Sequence, residues 1–103
     1  MTEGELQQAV IELARVLGWR VAHFRPAQTA RGWRTPVEAD GKGFPDLVLV
    51  RGRALAFAEL KSDRGRLSVE QRAWIDALAE AHPLVWIITP ALWLDGTVER
   101  WLR

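Results

Sequence analysis

Asp46, Glu59 and Lys61 are the residues of this chain whose types and spacing could do chemistry together. Asp46 precedes Leu47-Val48-Leu49-Val50, and Glu59 and Lys61 bracket Leu60 just after Ala56-Phe57-Ala58. Apolar runs of this length read as buried strands. Charged residues on central strands need partners or a function. Arg51-Gly52-Arg53 separates the two runs. Gly52, as the first of two central turn residues, fits a type II′ hairpin. With Gly52 and Arg53 at the turn, Arg51 pairs with Ala54 and, counting outwards, Asp46 with Glu59. Directly opposed residues hold their Cβ atoms about 4.5–5.5 Å apart on one face. Lys61, two residues beyond Glu59, shares that face. A register shifted by one residue would separate the three.

Two carboxylates facing each other across a strand pair repel. A fold avoids that arrangement unless a cation sits between them. A hard divalent ion suits the pair. Mg²⁺ takes one or two protein carboxylates, keeps several waters and accepts phosphate oxygens. Such an ion polarises a phosphodiester and lowers the pKa of a bound water. Lys61 beside it would orient that water or stabilise negative charge developing on the phosphate. The plainer alternative makes Asp46 an ordinary strand-start residue and puts Glu59 and Lys61 on a solvent face. Apolar neighbours on both faces of both strands speak against it.

The remaining elements must position these residues. Leu6, Val10, Leu13, Ala14 and Leu17 recur at helical spacing, which predicts a helix over residues 5–17, with Thr2 as cap and Gly18 as stop. Residues 19–24 predict a strand that Pro26 ends. Residues 25–43 hold two Pro and no helical or strand period, which predicts a long loop. It carries Arg25, Arg31, Arg34 and Lys42 around Trp33, a set suited to phosphate contact and base stacking, or simply to a solvated basic loop. Residues 44–50 and 54–61 are the hairpin strands. Residues 68–81 predict a second helix with a capping box of Ser68 and Gln71 and an apolar stripe of Ala73, Trp74, Ala77, Leu78 and Ala81. Residues 84–89 predict a buried strand that Pro90 closes. The tail, with Trp93 and Trp101, fits a short helix or an edge strand. The order implies one α/β domain over residues 1–103, with a mixed central sheet and helices on its faces.

The bulk numbers narrow the classes. The 103 residues allow one core, and the absence of Cys excludes disulfides and thiolate metal sites. His23 and His82 are too far apart in sequence to form a ligand motif, and His23 reads as structural. No apolar run approaches a membrane span, and the polar, acidic start is unlike a secretion signal, so the cytoplasm is the expected compartment. The formal net charge is +1, yet cations crowd residues 20–72, and all of the 14 but Lys42 and Lys61 are Arg. A basic face for phosphate, or an Arg-rich solvated surface, fits equally.

Gly43-Phe44-Pro45-Asp46-Leu47, then Ala58-Glu59-Leu60-Lys61, then Gly65-Arg66-Leu67-Ser68 with Gln71, resembles the VRR-NUC family (virus-type replication-repair nucleases) of the PD-(D/E)XK superfamily. The resemblance extends over nearly the whole chain, the leading helix and final strand following the same order. It implies a restriction-endonuclease-like αβββαβ core and metal-dependent hydrolysis of DNA. Asp46 and Glu59 would hold Mg²⁺ or Mn²⁺ with the Leu60 main-chain carbonyl, and Lys61 would be the catalytic lysine. Gln71 would reach the site from the second helix, complete the cap with Ser68, or do both. An acidic residue of the first helix would stand near the metal. Glu5 is the best match, with Glu3 and Gln7 as alternatives; an exposed first-turn carboxylate on the helix dipole is the competing reading of Glu5. A homodimer acting on structured or branched DNA, in the manner of a Holliday-junction resolvase, is expected, with a replication or repair partner possible. The rival readings are a catalytically silent DNA-binding module and a subunit needing a larger partner.

Overall fold

The computed structural model describes residues 1–24, 38–82 and 84–103, and the backbone of residues 27–29 and 32–34. Its elements are α1 (Glu3–Val16), β1 (Arg20–His23), β2 (Ala27–Thr29), β3 (Gly32–Arg34), β4 (Leu47–Arg51), β5 (Ala54–Leu60), α2 (Val69–Ala81), β6 (Val85–Ile88), α3 (Pro90–Leu94) and α4 (Thr97–Leu102). A four-stranded sheet runs in the order β1-β4-β5-β6. The first three strands are antiparallel and β6 is parallel to β5. α2 makes the crossover that a parallel pair requires. With α1 leading, this is the expected αβββαβ core in a mixed sheet.

Alternation along the strands sorts the core. Leu47, Leu49, Ala56, Ala58, Leu60 and Ile88 are buried in one cluster with Leu6, Val10 and Ala14 of α1 and Val98 and Leu102 of α4. The opposite face carries Phe57, which meets Phe44 and His82 edge to face, while Phe44 also meets Trp74 of α2. α1 is thus seated on one face of the sheet and α2 on the other. The tail is helical, as two short segments. Trp101 stacks on Trp86, and Trp19 donates its indole N–H to the Leu102 carbonyl at 2.8 Å. Arg51 lies 4.5 Å over the Trp19 ring and donates to the carbonyls of Leu17, Leu102 and Arg103. That arginine therefore ties the end of α1 to the C-terminal helix and is not part of a phosphate-binding face. Among the described residues no helix is long and apolar enough to cross a membrane.

Two expectations are corrected. The stretch 25–43 is not all loop, because β2 and β3 pair antiparallel with Gln28 opposite Trp33. Strands of three residues are too short to register as a period. The α2 stripe is also displaced. Ile75 is its buried residue, flanked by half-buried Gln71, Trp74 and Leu78, while Ala73, Ala77 and Ala81 are exposed. Alanine buries little apolar area and is the best surface helix former, so its spacing marks no face by itself.

Candidate active site

The hairpin turn fixes the site. Gly52 has φ 58°, and among the described residues Arg53 does not share a positive φ, as a type II′ turn requires. Arg51 pairs with Ala54 and Leu47 with Ala58. Continuing that register sets Asp46 against Glu59 at the open end of the hairpin, one residue beyond the end of β4. The backbone there remains tied, since Phe24 donates its N–H to the Asp46 carbonyl at 3.2 Å.

The two carboxylates are held by different means. Asp46 Oδ2 accepts the Leu60 N–H at 2.8 Å. The N–H and C=O of one strand residue point to the same side, so the Leu60 carbonyl opens towards Asp46. Glu59 is only 2% exposed and is the one buried charged residue among those described. Its Oε1 accepts from Gln71 Nε2 at 2.8 Å. Its Oε2 is buried without a hydrogen-bond partner. Burial, and then the nearby Asp46 charge, push the Glu59 carboxyl up to about 8, against an opposing pull from Lys61. Ionised, the Glu59 carboxyl leaves two carboxylates side by side and a buried oxygen unsatisfied. Lys61 follows Glu59 by two residues, and its N–H is fixed by the Ile88 carbonyl at 2.9 Å.

Gln71 bonds both to its cap residue and to Glu59. Its N–H is capped by Ser68 Oγ at 3.1 Å, its Oε1 accepts the Ser68 N–H at 2.8 Å, and its Nε2 holds Glu59. The amide thus spends its acceptor on the cap and its donor on the carboxylate. Gly43 sets the distance between the Asp46 loop and this helix end. It has φ 86°, and a Cβ there would lie 2.5 Å from the Glu70 carbonyl carbon and 2.7 Å from the Gln71 nitrogen. Only glycine satisfies both constraints. The sequence marks Gly43 as part of a motif but not for this role; its place before an apolar strand gives no sign of the helix it touches.

Glu5 is not at the carboxylate pair. It is exposed and closes its own capping box, its N–H bonding to Thr2 Oγ1 at 3.0 Å and its Oε1 accepting the Thr2 N–H at 2.8 Å. Donation from the Thr2 N–H, and then from its hydroxyl, holds the Glu5 carboxyl below the usual range. Glu3 is the α1 acid whose charge reaches Glu59 and raises its pKa further. Gln7, one turn on, lies 3.4 Å from His23 Nδ1. Lys42 forms an exposed ion pair with Glu70 at 3.0 Å. Arg25 and Arg31 lie outside the described residues. Trp33 and Arg34 are placed on β3 by backbone alone. No group of three His, Asp or Glu side chains gathers at one point among the described residues.

The sequence model of the VRR-NUC domain matches residues 20–88. The match takes in all six strands and α2, with the Asp46, Glu59, Lys61 and Gln71 positions. It leaves α1 outside, so Glu3, Glu5 and Gln7 draw no support from it. No curated protein and no solved structure matches the chain.

Proposed function

The chain belongs to the VRR-NUC family of nuclease domains, and from that premise we propose that it is a divalent-metal-dependent deoxyribonuclease cutting within structured or branched DNA. The observation that carries the reading is the Glu59 carboxylate, buried against Asp46 with one oxygen unsatisfied. Such a pair is costly in the absence of a cation and is relieved by one. Asp46, Glu59 and the Leu60 carbonyl would hold Mg²⁺ or Mn²⁺, whose waters and open positions suit phosphate oxygens. Bound there, the ion supplies Lewis acidity and an acidified water.

The chain's own residues do the positioning. The Leu60 N–H occupies Asp46 Oδ2, and the Gln71 amide occupies Glu59 Oε1, so one oxygen of each carboxylate is left to face the cation. Lys61 orients the attacking water and stabilises charge developing on the phosphate. Glu3, in place of Glu5, is the helical acid near the site. Two such chains paired would cut both strands of a branch.

The test uses wild type and Lys61→Ala on supercoiled plasmid and on a synthetic four-way junction, each with Mg²⁺, Mn²⁺ or EDTA. Wild type should nick or linearise DNA only with metal and prefer the junction. The variant should lose about 10²–10³ in rate, the usual loss for one charge-stabilising donor, while melting as wild type does. Folded wild type that cuts neither substrate would refute the nuclease reading and leave a DNA-binding module or a partner-dependent subunit.

A further inference from the structure

The segment that joins β5 to α2 carries Arg64 and Arg66 on either side of Gly65. Both arginines are exposed. Neither has an ion-pair partner among the described residues. The Gly65 N–H bonds to the Ser62 carbonyl at 3.0 Å and closes a turn. A Cβ on Gly65 would lie 3.3 Å from Lys61 Cδ and 2.9 Å from Ser62 Oγ. The turn therefore lies beside the Lys61 side chain, with one arginine on either side of Gly65. The other cations close to the start of α2 are engaged: Lys42 with Glu70 at 3.0 Å and Arg72 with Asp76 at 3.9 Å.

A nucleic-acid strand brought to Lys61 presents further phosphates on both sides of the one being attacked, about 3.4 Å apart along the axis per strand. The site itself presents the acids Asp46 and Glu59, and a metal held there would serve the phosphate under attack and not its neighbours. Cations are needed immediately outside the carboxylate pair. We propose that Arg64 and Arg66 form a phosphate clamp, each binding a phosphodiester next to the one that reaches Lys61. The planar guanidinium fork suits bidentate contact with phosphate oxygens. Contacts of this kind fix position and add affinity without reading sequence. The inference rests on the nuclease reading above.

The experiment measures binding of a fluorescent duplex in the Lys61→Ala background with Mg²⁺, across a range of salt, beside plasmid cleavage by the corresponding proteins with Lys61 intact. Arg64→Ala/Arg66→Ala should weaken binding and reduce the slope of log K against log salt by about 2, close to 0.9 for each phosphate no longer neutralised. Arg64→Lys/Arg66→Lys should restore the slope. Arg53→Ala, an exposed cation at the far end of the hairpin, should leave it unchanged. An unchanged slope in the double alanine variant, or an equal fall in Arg53→Ala, overturns the clamp. Cleavage by wild type with an unchanged slope would remove the clamp and keep the nuclease. A lowered slope with no cleavage would keep the clamp and remove the nuclease.

Discussion

Glu59→Gln is the substitution whose effect follows most directly from the geometry. The carboxyl titrates near 4.5 in an unfolded chain and at about 8 in the folded one. A carboxyl raised on folding favours the native state only while it is protonated. Its contribution is therefore intact below about pH 4.5, is lost progressively as pH rises towards about 8, and is constant above that. At roughly 1.4 kcal/mol per pH unit between the two values, the ceiling on that loss is ~5 kcal/mol. Relaxation and water entry around the orphaned Oε2 reduce it to on the order of 2–4 kcal/mol. Glutamine is neutral throughout, has nearly the same shape, and keeps an oxygen to accept from Gln71. In metal-free buffer the variant should match wild type at pH 5. At pH 8.5 it should melt on the order of 10–30 °C higher, given about 4–8 °C per kcal/mol in a domain of this size. Added Mn²⁺ should raise the wild-type melting point and leave the variant unmoved, because only wild type gains a ligand. The variant should also cut no DNA. The reasoning fails if the two proteins melt together at both pH values, or if glutamine is worse at pH 8.5.

Three further substitutions separate scaffold from site. Ser68→Ala removes one cap bond and should cost about 1 kcal/mol of stability, while leaving cleavage within a few-fold because Gln71 Nε2 still holds Glu59. Gln71→Ala removes the reciprocal cap and the carboxylate's donor, and should lower cleavage at least tenfold beyond the Ser68→Ala effect; equal rates for the two would show that the amide serves only the cap. Gly43→Ala places a methyl against the Glu70–Gln71 peptide at a positive φ, and should destabilise by at least ~2 kcal/mol through strain and overpacking together. Urea unfolding within about 0.5 kcal/mol of wild type, the usual spread for a neutral surface substitution, would mean that the loop does not rest on α2 as described.

The hairpin was legible because a two-residue turn leaves no freedom of register. Gly52 alone determines that Asp46 opposes Glu59, and the paired strands follow. The capping boxes were legible for a similar reason, since their partners are three residues apart. Contacts made across the fold left weaker marks. Nothing local in Gly43 signals that it touches a helix beginning 26 residues later at Val69. Arg51 reads as one more surface cation, although it bonds to the end of α1 and to the C-terminal helix. Lys42 reads as a free one, although Glu70 takes its charge. The choice between Glu3 and Glu5 turns on a competition that composition cannot rank. Once Glu5 is the third residue of a capping box, its carboxylate turns back on Thr2.

That competition also explains why the same chemistry on α2 had the opposite outcome. Both helices begin with a hydroxyl cap and a matching third residue, Thr2 with Glu5 and Ser68 with Gln71. A carboxylate in that place has only acceptors, so after closing the box it can approach another carboxylate only at a cost. An amide has a donor left over. Glutamine therefore closes the cap with its oxygen and still offers an N–H to Glu59, so one residue fixes the helix start and aims the carboxylate. Replacing Gln71 by glutamate would keep the cap and set a third acid against Asp46 and Glu59. Stability at α2 would barely change from the capping bonds alone, but the site would lose its donor and gain repulsion. The amide of Gln71 thus serves the site as well as the cap, and the helix alone would accept either residue.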